Sequence, residues 1–154
     1  MNPYQKIIDL LQSNSIAFDE IEHAPVFTSK EVQDVTGVPL HQGVKSLLIK
    51  SKLGFALFVL PGDARLDSKK IRKIIGASDF RFATPQEVEE IMGCAVGACY
   101  PFGDVCNTPM YIDTSVLKNT KISFNPGRHD TTITLALNDY QKIINSISAD
   151  IIQT

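Results

Sequence analysis

The sequence lacks most of what would mark a secreted, membrane-bound or metal-dependent protein. Its three cysteines, Cys94, Cys99 and Cys106, are odd in number and have neither CxxC spacing nor a nearby histidine pair. That excludes a disulfide framework and a zinc finger as the basis of the fold, and neither a metal nor an organic cofactor is expected. No apolar run approaches the roughly 20 residues needed to span a bilayer. The stretch from Met1 to Leu11 sets Asn2, Gln5, Lys6 and Asp9 among its apolar residues, so no signal peptide is expected there. A reducing cytoplasm, with no membrane partner, is the expected setting. Internal repeats, linkers and low-complexity tracts are also missing. What remains, 154 residues with 44% hydrophobic and 21% charged content, fits one globular domain spanning residues 1–154. A domain of that size buries enough surface to fold without covalent staples.

Net charge is only −2, but it is unevenly spread. Residues 1–44 hold two Lys against six acids, residues 45–81 hold nine Lys or Arg against three Asp, and residues 82–154 hold four against eight. A basic middle between acidic flanks suggests a local polyanion site on a protein that is not broadly adhesive to nucleic acid. Read alone, such a run is more often a solvated face.

Hydrophobic periodicity gives the elements. Tyr4, Ile7, Ile8 and Leu11 fall on one helical face behind Pro3, and Ala17 to Ile21 reads as a short strand. Thr28 and Glu31 have capping-box spacing for a helix that stops near Gly37. Val44 to Ile49 and Phe55 to Leu60 form a hairpin through Ser51-Lys52-Leu53-Gly54. Asp67 caps a helix with Ile71, Ile74 and Ile75 inward and Lys69, Lys70, Arg72 and Lys73 on the opposite arc. After a strand at Phe80 to Phe82, Thr84-Pro85-Gln86-Glu87 opens a helix that ends at Gly93. Strands follow at Met110 to Asp113, Lys121 to Phe124 and Thr131 to Leu137, and a last helix carries Tyr140, Ile143, Ile144 and Ile147. The class is α+β, a mixed and largely antiparallel sheet with packed helices.

Three features carry possible chemistry. The loop Gly97-Ala98-Cys99-Tyr100-Pro101-Phe102-Gly103 is too rich in Gly and Pro for regular structure. Its backbone N–H groups can converge on one oxygen, though a plain tight loop reads the same way. Lys45 shares a strand face with Leu47 and Ile49 by the period of two, so its ammonium is aimed at a cleft that supplies an anion or snorkels to water. Finally, Cys99, His129 and Asp113 permit a thiol-hydrolase reading, although Cys99 lacks the strand-to-helix setting that exposes many nucleophiles.

Taken in order, several stretches resemble the YbaK/ProX-like aminoacyl-tRNA editing domains, relatives of the editing domain inserted in bacterial prolyl-tRNA synthetases. They are His23-Ala24-Pro25-Val26-Phe27-Thr28, Gly43-Val44-Lys45-Ser46-Leu47-Leu48, Arg65 to Lys70, Arg81 to Pro85, Gly97 to Gly103, Asp113, and Phe124 to His129 with Thr131 to Leu137. The resemblance implies a barrel-like sheet and a deacylase that frees tRNA(Pro) of a small amino acid such as Ala, Cys, Ser or Thr. It implies that Lys45 engages the phosphate or ribose of the terminal adenosine. By the same likeness Gly97, Ala98 and Pro101 belong to a GxxxP loop that cradles the ester, and Asp113 and His129 line the aminoacyl pocket. His23, Phe27, Thr28, Ser46, Cys99, Tyr100, Phe102 and Gly103 are implied as further substrate-binding positions. No protein nucleophile is implied: the ribose hydroxyl and a positioned water act on an ester that the enzyme orients. Lys69, Lys70, Arg72 and Lys73 would then meet acceptor-stem phosphates, and a synthetase is a possible partner. Ser46 stands where alanyl-specific subgroups have Asn, and Cys99-Tyr100 departs from the commoner small residues, so amino-acid specificity stays open. A catalytically silent module that recruits tRNA or a synthetase through the same pocket is the other reading of this resemblance.

Overall fold

Local chemistry sets the first elements of the chain. The computed structural model describes residues 2–154; Met1, the first residue of the opening segment, lies outside the described residues. Asn2 accepts a hydrogen bond from the Gln5 N–H and caps α1 (Pro3–Ser13), which buries Ile7 and Leu11. Strand β1 (Phe18–Glu22) leads to α2 (Ser29–Thr36), capped by Thr28 and ended by Gly37 at φ +74°. The hairpin of β2 (Val44–Ser51) and β3 (Gly54–Pro61) pairs Val44 with Pro61 at one end and Ser51 with Gly54 at the other. Asp67 caps α3 (Ser68–Ile75) through the N–H groups of Lys69 and Lys70. β4 (Phe80–Phe82) runs into α4 (Pro85–Met92), where Thr84 and Glu87 satisfy each other's backbone N–H reciprocally. β5 (Met110–Asp113), β6 (Lys121–Phe124) and β7 (Thr131–Ala136) follow, then α5 (Leu137–Lys142) and β8 (Ile147–Ala149).

The strands form two open sheets and not one closed barrel. One is antiparallel with order β1-β7-β6; the other has order β4-β2-β3-β5-β8, antiparallel from β4 to β3 and parallel across β3-β5 and β5-β8. A bridge between Gly43 and Ser123 links them. Alternation along the hairpin splits its side chains between two cores. Val44, Leu48, Leu57 and Val59 face the main core, shared with Ile122, Phe124, Ile133 and Leu135 of the three-stranded sheet. Ile49, Phe58 and Leu60 face a second core closed by Ile71 of α3 and by Ile151.

One element departs from the sequence pattern. The last helix stops at Lys142, and Ile147 opens β8 against Tyr111 of β5. The helical spacing of Tyr140, Ile143, Ile144 and Ile147 loses to strand pairing along the sheet edge, a tertiary gain that a local pattern does not register.

Candidate active site

The cleft begins where β2 runs out of partners. Among the described residues β4 pairs only with Ile49, Lys50 and Ser51, so the Val44 to Leu48 half of β2 has one edge without a neighbouring strand. A cleft of about 660 Å³ opens there. Its walls are the Val26-Phe27-Thr28 segment, the first turn of α2, the open half of β2 and the Val96-to-Cys99 loop.

Lys45 lies on the Leu47–Ile49 face of β2, half-buried, and its Nζ donates to the Gly62 carbonyl at 3.3 Å. Burial holds the pKa of this ammonium below the ordinary lysine value, and the nearby Arg65 guanidinium pushes the same way, partly opposed by Asp63. One carbonyl is little compensation for a half-buried cation with three donors, so Lys45 is a cation ready for an anion.

Ser46 points the other way, toward the main core. It is 6% exposed, lines the cleft, and its Oγ has no hydrogen-bond partner. A buried hydroxyl left unpaired costs about 1–3 kcal/mol. Around it, Ser123 Oγ is engaged by Gln42 Nε2 at 3.0 Å and Thr134 Oγ1 at 2.6 Å, and Thr132 Oγ1 by His23 Nε2 at 2.9 Å.

Gly97 and Cys99 bring the loop to the cleft. Gly97 sits at φ +90°, and a Cβ there would come within 3.1 Å of His129 Cε1, so only glycine fits without displacement. Cys99 is half-buried, and its pKa is held below the usual thiol value by the neighbouring Cys94 first and then by the backbone at Gly97 and Cys99, against its burial. Cys94 is pushed well up by its neighbour Cys99 and by its own burial.

Other residues anticipated for the site stand elsewhere. Asp113 is buried at the end of β5, where its carboxylate accepts from the N–H and Oγ of Ser115 and from the Ile151 N–H. It caps a turn and docks the C-terminal segment; it does not line the cleft. His129 turns Nδ1 to the Val26 carbonyl at 3.0 Å and packs its ring on Phe27, centroids 4.5 Å apart. Asp113 and His129 make no hydrogen bond to each other among the described residues, so the Cys99, His129 and Asp113 triad does not assemble. Tyr100 is fully buried with its hydroxyl donating to Met92 O, and Phe102 packs edge-on against Phe124 and Tyr140. Pro101 is buried with its carbonyl taken by Tyr140 Oη at 2.6 Å. Gly103 is required because a Cβ would meet Thr108 O at 2.4 Å. Ala98 is buried and gives its N–H to Ala95 O. These five hold the loop's shape from behind. His23 supports the cleft through Thr132 and does not itself line it, whereas Phe27 and Thr28 line it directly.

The basic helix lies outside the cleft lining. Lys70 is not free there: its Nζ bonds Asp150 at 3.0 Å and Ile152 O at 2.7 Å. Lys69, Arg72 and Lys73 are exposed. The site residues expected from the sequence did not include Asp63, Phe82, Val88, Val96 or Ser123, which also line the cleft, although Phe82 falls in the Arg81 to Pro85 stretch that carries the resemblance.

Known proteins share this sequence pattern and this fold. The model of the aminoacyl-tRNA editing domain matches residues 23–143. The multifunctional Ser/Thr-tRNA deacylase ProXp-y of Escherichia coli strain K12 is 30% identical over 145 residues, covering 91% of this chain and 87% of that protein. The prolyl-tRNA editing protein ProX of Acetoanaerobium sticklandii is 24% identical over 152 residues, covering 95% and 93%. A solved structure described as a candidate trans-editing enzyme for prolyl tRNA synthetase superposes with a TM-score of 0.87 at 25% identity, covering all of this chain and 99% of the other.

Proposed function

This chain belongs to the aminoacyl-tRNA editing family, and we propose from that premise that it is a trans-acting hydrolase that cleaves the ester of a mischarged tRNA. The observation that carries the reading is the meeting of a half-buried lysine, an unpaired buried hydroxyl and the glycine-led Gly97 to Cys99 loop in one cleft.

Each group has work in ester hydrolysis. Lys45 holds the phosphate or ribose of the terminal nucleotide, since its ammonium has donors to spare and a single carbonyl partner. The N–H groups of Gly97 and Cys99, in the loop that lines the cleft, face the carbonyl oxygen as it gains charge. Ser46 Oγ pairs with a polar group of the bound aminoacyl moiety and relieves its own desolvation. An aminoacyl ester is already activated, so positioning supplies most of the acceleration and a water attacks without a protein nucleophile. The exposed Lys69, Arg72 and Lys73 add affinity for acceptor-stem phosphates without touching the chemistry.

The substrate is tRNA(Pro) bearing a small amino acid, and the reaction takes place in the cytoplasm, alone or beside a synthetase. Deacylation of tRNA(Pro) charged with Ala, Cys, Ser, Thr or the cognate Pro tests this. Multiple turnover on at least one of the mischarged forms, with Pro spared, is expected. Tight binding without turnover on every form would make the chain a binding module.

A further inference from the structure

We propose that the mouth of the cleft is a stacking platform for the unpaired bases adjoining the terminal nucleotide of an RNA 3′ end, built on Phe27 and Phe82. The sequence has eight Phe and four Tyr. Ten of these rings are buried or half-buried, whereas Phe27 is 64% and Phe82 57% exposed. Both line the same cleft although they come from different elements, and Val96, 54% exposed, lines it too. Single exposed apolar residues scattered over a surface are ordinary; the only two exposed Phe or Tyr rings of the described residues gathered at one opening are not.

Both rings are presented from pinned backbone. Phe27 rests on His129, whose ring is itself fixed by the Val26 carbonyl. Phe82 lies between Arg81, which donates to the Phe82 carbonyl and grips Glu87 with two bonds, and Ala83, whose N–H donates to Leu48 O. Holding the backbone while leaving the ring in water reduces the entropy lost when a planar partner stacks on it. The charge of the surroundings selects the partner. Lys30 and Lys45 line the same cleft, and aromatic faces beside cations are what a single-stranded nucleic acid needs, a π-face for each base and ammonium groups for its backbone. The platform rests on the deacylase reading: with the ester between Lys45 and Gly97, the next nucleotides leave the cleft across this rim.

Two measurements test it. In steady-state deacylation, Phe82→Ala and Phe27→Ala should each raise KM for an aminoacylated acceptor-stem RNA about 5- to 100-fold, at stacking energies of about 1–3 kcal/mol per base. On 3′-aminoacyl-adenosine, which has no neighbouring base, the loss for Phe82→Ala should stay below about twofold, and Phe82→Trp should restore the RNA value. In the second, 2-aminopurine is placed next to the terminal nucleotide of uncharged RNA. Its fluorescence should be quenched on binding wild type and not on binding Phe82→Ala, with circular dichroism confirming the fold. Equal losses on both esters, or quenching unchanged in the variant, would overturn the platform. The fluorescence needs no turnover, so it decides the platform even if wild type hydrolyses no ester, a result that would refute the deacylase reading alone.

Discussion

At Lys45, burial and Arg65 both favour loss of the proton, so the cation that the proposed role needs persists only below a pKa set lower than the usual lysine value. Affinity for a non-hydrolysable aminoacyl-tRNA analogue should fall as pH rises through that lowered pKa. Lys45→Arg, charged at every accessible pH, should hold its affinity further into the alkaline range. Lys45→Ala should lower deacylation at least tenfold while circular dichroism stays native. Ser46 gives a prediction of opposite signs in two assays. Ser46→Ala removes an unpaired buried hydroxyl, which should raise Tm by about 2–4 °C for each kcal/mol relieved. If Oγ serves the substrate, kcat/KM should fall in the same variant; a variant that is more stable and equally active would make Ser46 a packing residue only. Of these two residues, Lys45 was legible because a charge on an apolar strand face breaks a period of two. The state of Ser46 was not, since whether a hydroxyl finds a partner depends on residues far away in sequence.

Among the elements, α4 shows local chemistry setting the rim of the site. Glu87 accepts from the Thr84 N–H and from both nitrogens of the Arg81 fork, at 2.7 and 3.1 Å. Those bonds hold its pKa at about 2, from an ordinary 4.5, with Arg81 the larger cause and the Thr84 backbone second. The folded state binds the carboxylate form more tightly, so this stabilisation is complete above about 4.5 and fades as pH falls through about 2. Glu87→Gln should therefore lower Tm at pH 7, and the gap to wild type should narrow steadily in melts from pH 4.5 toward pH 2. A gap independent of pH would mean that shape matters and charge does not. The capping box itself was plain in Thr84-Pro85-Gln86-Glu87, as was the Asp67 cap of α3. The helix-like spacing that ran on to Ile147 misled because β8 exists only through its pairing with β5. In the Gly97 to Gly103 loop, composition marked irregular structure correctly but did not separate the residues that face the cleft from those that prop it. Tyr100 belongs to the second kind. Tyr100→Ala should act through stability, costing about 3–5 kcal/mol in denaturant unfolding, and at temperatures where it stays folded its kcat should remain near wild type.

On the scale of the whole molecule, two open sheets joined at Gly43 and Ser123 leave half of β2 uncovered, and the cleft with Lys45, Ser46 and Gly97 opens along that gap. The strands from β1 to β7 and the α+β class could be read from alternation and caps. The division into two sheets could not, because it follows from which edges find partners. For the same reason Asp113, which looked like a pocket residue, is a tie between β5 and the C-terminal segment. The central claim is that the cleft hydrolyses an aminoacyl ester by holding it against backbone donors and not by forming a bond to a protein atom. Single-turnover deacylation of one mischarged tRNA(Pro) by wild type, Cys99→Ala and Gly97→Val tests it most directly. Wild type should far outpace spontaneous hydrolysis and Cys99→Ala should stay within a few-fold of it. Gly97→Val, which forces a side chain onto His129 and a β-branched residue into positive φ, should lose about 10²–10³ in rate. Wild type no faster than buffer, or a dead Cys99→Ala beside an active Gly97→Val, would contradict the account.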